Sequence, residues 1–151
     1  MEQTFVMIKP DAVARGLVGE IVSRFEHKGL TVKAMKLIWV TREQAEANYE
    51  EHRGKPFFGD LVEYVTRGPV VVLVVEGEQA VPVVRRLIGA TDPAQSEPGT
   101  IRGDFGLEIG RNLIHGSDSL ASAEREIALF FAPNELLNVS RDVDKWVFEN
   151  A

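Results

Sequence analysis

The hydrophobic and polar positions of this chain follow two alternating periods, which predicts strands and helices in turn. Short apolar runs rich in β-branched residues predict strands at 4–9, 30–40 and 70–76. The run at 70–76, VVVLVVE, is apolar at its first six positions, as is typical of a central strand covered on both faces.

Between and after these strands, apolar residues recur at helical spacing, which predicts helices. The first helix runs from Leu17 to a glycine stop at Gly29. Capping residues, apolar spacing and glycine stops predict further helices at 41–52, 58–67, 78–89 and 120–131. We expect the last of these to pass into a short strand at 128–131. The tail, which contains NELL and WVFE, is expected to form an irregular wrap with short helical turns.

Residues 89–116 stand apart because they hold six glycines and two prolines with no sustained periodicity. So long a connection is uncommon in a compact domain and is usually functional when ordered. The order β-α-β-α-β-α-loop-α-β favours one α+β domain over residues 1–151. We expect a ferredoxin-like sandwich, in which helices cover an antiparallel four-stranded sheet, with a long loop before His115 and a C-terminal extension. A doubly wound parallel sheet is the alternative, but neither GxGxxG nor GxxxxGK[ST] occurs.

Composition and charge narrow the function classes. The chain is 44% hydrophobic and 26% charged, as is ordinary for a globular protein, and it has no cysteine, which excludes disulfides, thiolate catalysis and cysteine-held metals. Its net charge of −6 disfavours a stable nucleic-acid partner. We expect no membrane association and a cytoplasmic location, since there is no signal-peptide pattern and no apolar stretch long enough to span a bilayer. His27 and His52 lie in charged helical stretches and are expected on the surface.

The candidates for chemistry fall in two blocks. One is IKPD, and the other is TIRGDFG running into GRNLIHGSD, with a further arginine on the helix upstream. Arginine forks and a lysine bind phosphate oxygens, and a neutral imidazole can attack phosphorus to form a covalent intermediate. The residues concerned are Lys9, Arg85, Arg102, Asn112, His115 and Ser117.

Each candidate also fits an ordinary structural role. Lys9 could be a solvated lysine at a strand end, and Arg85 could form a salt bridge on its helix. Arg102 could pair with Asp104 within the loop, and Asn112 could bond the loop backbone. From the residues alone, a phosphate-handling enzyme is one possibility among several.

Four stretches together resemble the nucleoside diphosphate kinase family. They are IKPDAVARGLVGEIVSRFEHKG, KPFFGDLVEYVTRGPVVVLVVEG, GATDPAQSEPGTIRGDFG and GRNLIHGSDS. The resemblance runs from Thr4 to Glu149, and NxxHGSD following PGTIRGD is its most specific part. It implies a ping-pong reaction, in which a nucleoside triphosphate hands its γ-phosphate to His115 and a different nucleoside diphosphate collects it.

The resemblance also assigns roles to individual positions. His115 would be the nucleophile through Nδ1, and Glu126 would orient its ring with Ser117 nearby. Ala12 stands where many members have glycine. The remaining matches are Lys9, Tyr49, Arg102 and Asn112 around the transferred phosphate and the sugar, with Lys9 and Asn112 reaching the 3′-hydroxyl, Arg85 and Thr91 at the β-phosphate, Phe57 stacked on the base, and Ile109 on the other face of the base.

The resemblance implies Mg²⁺ and an assembly as well. Mg²⁺ would arrive on the nucleotide phosphates, with Asp118 assisting at most through water. A homo-oligomer is expected, a hexamer rather than a tetramer, because the tail and the loop at 92–104 meet neighbouring subunits in hexameric members. Two other functions stay open: a ferredoxin-like module that binds single-stranded nucleic acid or a small ligand, and an inactive relative. The aromatic motif of RNA-recognition sheets is absent, and every residue of the family's catalytic set is present.

Overall fold

One four-stranded antiparallel sheet forms the centre of the molecule in the computed structural model, which describes residues 1–150. The strands are β1 (Glu2–Ile8), β2 (Thr31–Ile38), β3 (Val70–Gly77) and β4 (Ile114–Gly116). They lie in the order β2-β3-β1-β4, and each neighbouring pair is antiparallel. The expected ferredoxin-like sandwich is confirmed, and the parallel alternative is wrong.

Helices cover both faces of this sheet. They are α1 (Pro10–Ala14), α2 (Val18–Lys28), α3 (Arg42–Asn48), α4 (Phe58–Thr66), α5 (Ala80–Ile88), α6 (Ile101–Phe105), α7 (Leu120–Phe130) and α8 (Asp144–Val147). Side chains of β1 alternate between two cores. Val6 and Ile8 pack with residues of α2 and α5, while Phe5 and Met7 pack with residues of α3, α4 and α7. Within residues 1–150, none of the helices has the length and apolar character needed to cross a bilayer.

Local signals placed most elements correctly. The strands predicted at 4–9, 30–40 and 70–76 are confirmed, and β3 is central and buried on both faces. Gly29 and Gly89 follow α2 and α5 with φ of +103° and +96°, the left-handed backbone that glycine adopts at little cost. The Ser119 side chain accepts a hydrogen bond from the Ser122 amide and caps α7.

The strand predicted at 128–131 is wrong. Helix α7 continues through Phe130, and its apolar end packs into the core beside Phe5 and Met7 instead of joining the sheet. The fourth strand is β4, whose three residues lie at the end of the segment predicted to be a loop. A strand this short shows no period of two, so only its pairing with β1 defines it.

The helices also differ from the prediction at several places. Helix α1 begins at Pro10, directly after β1, and was not predicted; Ala12 is buried in it with a helical backbone, so a side chain there causes no strain. The helix predicted at 41–52 is divided at Tyr49 into α3 and a 3-10 turn, Glu50–His52. The long segment 89–116 also contains α6 and two 3-10 turns, Pro93–Gln95 and Ile109–Arg111.

Candidate active site

A cavity of about 890 Å³ opens where β1 and β4 end beside α3, α4 and α7. Eleven of the twelve residues that the sequence singled out line it, and Ser117 is buried behind Glu126. The eleven are Lys9, Tyr49, Phe57, Arg85, Thr91, Arg102, Ile109, Asn112, His115, Asp118 and Glu126. Residues separated by more than a hundred positions therefore share one cavity.

His115 lies on β4, in register with Met7 of β1, and its side chain is 18% exposed to the cavity. Its Nε2 is 3.0 Å from Oε1 of Glu126, and the Ser117 hydroxyl donates to the same oxygen at 2.7 Å. The carboxylate therefore holds the proton on Nε2. Among the described residues, no group hydrogen-bonds to Nδ1, so that nitrogen keeps its lone pair for a ligand.

Helix α5 packs closely against β4 at Gly116. A Cβ at this position would lie 2.7 Å from the Cδ1 atom of Ile88 on α5. The glycine lets the helix pack directly against the histidine strand, and Arg85 of the same helix donates to the Gly116 carbonyl at 3.2 Å. Packing of α5 thus brings an exposed arginine beside His115.

Lys9 is one of two buried cations of the cavity, and like Arg102 it has 4% of its surface exposed. Its Nζ donates to Oδ1 of Asn112 at 2.9 Å. Burial, followed by the charge of Arg102, lowers the pKa of Lys9 to about 7, and the Asp11 carboxylate acts in the opposite direction. The alternative role of Lys9 as a solvated lysine at a strand end is wrong.

Arg102, on α6, fixes the backbone next to the histidine. Its guanidinium donates to the carbonyl oxygens of Asn112 at 3.0 Å and Ile114 at 2.6 Å. Burial, followed by the charge of Arg85, lowers the pKa of Arg102 to about 10. The loop ion pair with Asp104 does not form, because Asp104 pairs with Arg24 at 2.8 Å.

Tyr49 and Asn48 form a buried polar wall of the cavity. The Tyr49 ring meets the His115 ring edge to face, with centroids 5.7 Å apart. Burial, followed by the charge of Glu126, raises the pKa of Tyr49, so its hydroxyl keeps its proton. Neither this hydroxyl nor the side-chain amide of Asn48 has a hydrogen-bond partner among the described residues. Buried polar groups normally have partners, so this wall suits a polar ligand or ordered water.

The outer end of the cavity carries apolar side chains. Phe57 is 48% exposed, and Ile109 is also exposed. His52, expected on the surface, is half-buried here, with its ring centroid 5.2 Å from that of Phe57 and 6.4 Å from that of Tyr49. The sequence did not predict that His52 lines the cavity. Its position three residues after Tyr49, on the same face of a helical stretch, is the signal that could have found it.

One stretch of the rim combines a cation, a hydroxyl and a carboxylate. Thr91 and Asp118 are exposed there beside Arg85. Hydrogen bonding from Ser122 lowers the pKa of Asp118, which is therefore ionised. Within residues 1–150 there is no group of three or more acidic, histidine or cysteine side chains arranged to hold a metal ion. A magnesium ion that arrives on ligand phosphates needs no such group from the protein, and the exposed Asp118 carboxylate beside Arg85 is compatible with one.

Taken together, the cavity offers a nucleophilic nitrogen, inner cations and an outer aromatic ring. Lys9, Arg85 and Arg102 can bind an anion beside His115. Phe57 offers a face on which a planar ring can stack. This arrangement can bind a phosphorylated compound with an aromatic ring and bring a phosphorus atom to the histidine.

Comparisons with known proteins agree with this chemistry. The family model described as nucleoside diphosphate kinase matches residues 2–136. The chain is 60% identical to a nucleoside diphosphate kinase of Archaeoglobus fulgidus over 99% of both chains. It is 59% identical to one of Pyrococcus furiosus, over 98% of this chain and 93% of the relative. Among solved structures, a halophilic nucleoside diphosphate kinase from Halobacterium salinarum in complex with CDP is similar with a TM-score of 0.96 and 52% identity, over 97% of this chain and 98% of the other.

Proposed function

Since this chain belongs to the nucleoside diphosphate kinase family and is thus a phosphotransferase, we propose that His115 carries the phosphoryl group between nucleotides. In the first half-reaction a nucleoside triphosphate gives its γ-phosphate to His115, and in the second a nucleoside diphosphate takes it. The observation that carries this proposal is the pairing of Nε2 with Glu126, because it leaves Nδ1 free in the cavity.

The first half-reaction follows from that pairing. The lone pair of Nδ1 forms a bond to the γ-phosphorus, while the bond from phosphorus to the bridging oxygen breaks and its electron pair leaves with the diphosphate. The ring keeps its Nε2 proton and becomes cationic, and the buried Glu126 carboxylate stabilises that charge. In the second half-reaction a terminal oxygen of the incoming diphosphate attacks the same phosphorus, and the electron pair returns to Nδ1.

The other cavity residues bind and orient the nucleotide in this proposal. Their positions support the assignments, since Lys9, Arg85 and Arg102 line the same cavity as His115 and the apolar Phe57 and Ile109 are exposed. Stacking on an aromatic face does not depend on which base is present, which gives a physical reason for broad base acceptance. The assignments are Lys9, Tyr49, Arg102 and Asn112 to the transferred phosphate and sugar, Arg85 and Thr91 to the β-phosphate, and Phe57 and Ile109 to the two faces of the base.

Mg²⁺ is the proposed cofactor. Bound to the nucleotide phosphates, it would offset their negative charge. The exposed, ionised Asp118 is the carboxylate of this chain that would assist it through water. Omitting Mg²⁺ from the assay, with excess chelator, tests this part of the proposal.

A hexamer is the proposed assembly. The edge strand β2 and the segment that follows it expose Met35, Leu37 and Trp39, and the tail exposes Trp146 at 84%. Large exposed apolar side chains of this kind are typical of surfaces that another chain covers. Sedimentation equilibrium tests the hexamer against a tetramer.

A single domain, a cytoplasmic location and the absence of a stable nucleic-acid partner stay predictions of the sequence.

The decisive experiment traps the phosphoryl group on the protein. The protein is incubated with γ-labelled ATP and Mg²⁺, freed of nucleotide, and tested for label that is acid-labile and alkali-stable. We expect the label to form and to pass to GDP or CDP on a chase. His115→Ala should take no label, while the matched control His27→Ala, at an exposed position on α2, should behave like the wild type. Wild-type protein that binds nucleotide but takes no label would contradict the mechanism.

A further inference from the structure

The backbone between Asn112 and His115 makes a strained γ-turn at Leu113. The amide of Ile114 donates to the carbonyl of Asn112 at 2.8 Å, and Leu113 has a φ of +73°. Side chains other than glycine rarely adopt this left-handed backbone, and such turns persist only where the surroundings hold them. The turn separates two side chains that point into the same cavity, those of Asn112 and His115.

Both polar backbone groups of Leu113 are held by the segment that follows β1. Oδ2 of Asp11 accepts from the Leu113 amide at 3.2 Å, and the Lys9 amide donates to the Leu113 carbonyl at 2.8 Å. The other carboxylate oxygen of Asp11 accepts from the Tyr64 hydroxyl at 2.5 Å. One carboxylate therefore ties together α1, α4 and the turn before the histidine.

The same carboxylate is the nearby negative charge for Lys9. Lys9 is faced by Asp11 from α1, by the Arg102 guanidinium from α6, and by the Tyr64 ring from α4, whose centroid is 5.1 Å from Nζ. Arg111 lies on that ring as well, 5.2 Å from its centroid. Burial and Arg102 lower the pKa of Lys9, and Asp11 opposes both. Arg102 is thus the cation that acts on the lysine, and Asp11 is the acid that opposes it.

We propose that Asp11 is a positioning residue of the phosphoryl-transfer site, since its carboxylate holds the Leu113 turn that sets Asn112 and His115 and its charge balances the Lys9 ammonium. The inference rests on the proposed function, because it concerns the same phosphoryl-transfer site. Asp11 bonds to Leu113 and Tyr64 and not to His115, and it is not among the residues that line the cavity. It acts through Leu113, Tyr64 and Lys9.

Three variants separate the two effects. Asp11→Asn keeps an acceptor for the Leu113 amide and removes the charge, Asp11→Ala removes both, and Tyr64→Phe keeps the charge and removes one hydrogen bond. We expect Asp11→Asn to move the basic limb of the pH profile of kcat/KM to lower pH by about one unit, a tenfold loss on that limb. We expect Asp11→Ala to show the same shift and, in addition, a kcat that is roughly tenfold or more lower. In Asp11→Asn, which keeps the acceptor for the Leu113 amide, most of that kcat should be retained. Tyr64→Phe should leave the limb in place.

Asp60→Asn is the matched control, because it removes one negative charge from the wall of the same cavity without being among the groups that act on Lys9. The basic limb of the pH profile of kcat/KM should not move in Asp60→Asn. The ¹⁵N-detected titration of Lys9 gives a readout without turnover, and its midpoint should fall in Asp11→Asn. If Asp11→Ala does not fold, the Asn variant still decides the charge effect.

The outcomes distinguish this inference from the proposed function. Wild-type protein without label on His115 would remove the proposed function. Wild-type labelling together with an unmoved basic limb and an unmoved Lys9 midpoint in Asp11→Asn would overturn the role of Asp11 while leaving the function intact. A loss in Asp11→Ala that is fully accounted for by its unfolded fraction would overturn the role of the turn.

Discussion

Glu126 and His115 lie eleven residues apart in the chain, and their Oε1 and Nε2 atoms are 3.0 Å apart. Strand β4 ends one residue after the histidine, and α7, capped by Ser119, then runs back along the sheet and carries Glu126 behind the ring. The pairing orients the imidazole before any ligand enters, so the carboxylate should contribute to the rate more than to nucleotide affinity.

We expect Glu126→Gln to lower kcat about 100-fold with little change in KM, because hydrogen bonds to charged groups contribute about 1.5–3 kcal/mol and 1.4 kcal/mol corresponds to a factor of ten. The amide also cannot stabilise the cationic phosphorylated ring. Steady-state kinetics and the rate of label transfer to His115 measure the effect. Glu124→Gln, an exposed change on the same helix, is the control, and a loss of equal size there would argue against a specific role.

The rate should depend on pH through Lys9, whose pKa is lowered to about 7 chiefly by burial. Because the neutral amine no longer attracts phosphate, we expect kcat/KM to fall above pH 7. Bound phosphate favours the charged amine, so kcat should fall only at higher pH. A kcat/KM profile that stays flat to pH 9 would contradict this.

The free energy of unfolding should also depend on pH through Lys9, but it should rise with pH where kcat/KM falls. The pKa of Lys9 is about 7 in the folded protein against an ordinary 10.5, so between these values the unfolded chain binds more protons and stability rises with pH. We expect Lys9→Met to be inactive, to be more stable at pH 7 by about 1–2 kcal/mol, and to lose much of this pH dependence. Urea unfolding at pH 7 and pH 9 measures both.

Phe57→Ala should weaken nucleotide binding without destabilising the fold. A base stacked on an aromatic side chain contributes about 1–3 kcal/mol, so we expect KM to rise roughly 10-fold or more. The ring is half exposed, so stability should change by less than about 0.5 kcal/mol. Its neighbour Phe58 is partly buried in the core and gives the contrasting variant. Phe58→Ala should lower stability more than it raises KM. Unchanged KM values for all nucleotides in Phe57→Ala would exclude the stacking role.

Gly103→Ala should disrupt the helix that carries Arg102. A Cβ there would lie 2.0 Å from the Glu97 carbonyl oxygen, and backbone cannot yield as a flexible side chain does. We expect a loss of stability of about 2 kcal/mol or more and a parallel loss of activity. Gly59→Ala on α4 meets no atom within 4 Å and should be stabilising by about 0.5–1 kcal/mol. Thermal unfolding of the pair measures the difference, and equal effects would contradict the clash.

The sequence by itself determined the elements whose signals are local. Apolar period, Ser119 as a cap and the glycines at 29 and 89 placed three strands and most of the helices, since these signals act within a few residues of the chain. The motif around His115 determined the family, and with it the residues proposed for the site. Nothing in that motif reports distance, burial or protonation.

Only the tertiary structure decided how distant residues meet. Strand β4 exists because it pairs with β1, Lys9 reaches Asn112 across 103 positions, and Arg102 faces backbone carbonyls instead of Asp104. His52 enters the cavity and Asp11 holds the Leu113 turn for the same reason. These contacts depend on sheet register and helix packing, which bring together groups whose local sequences carry no information about each other. The lowered pKa of Lys9 follows from that burial, so it too belongs to the fold and not to the sequence pattern.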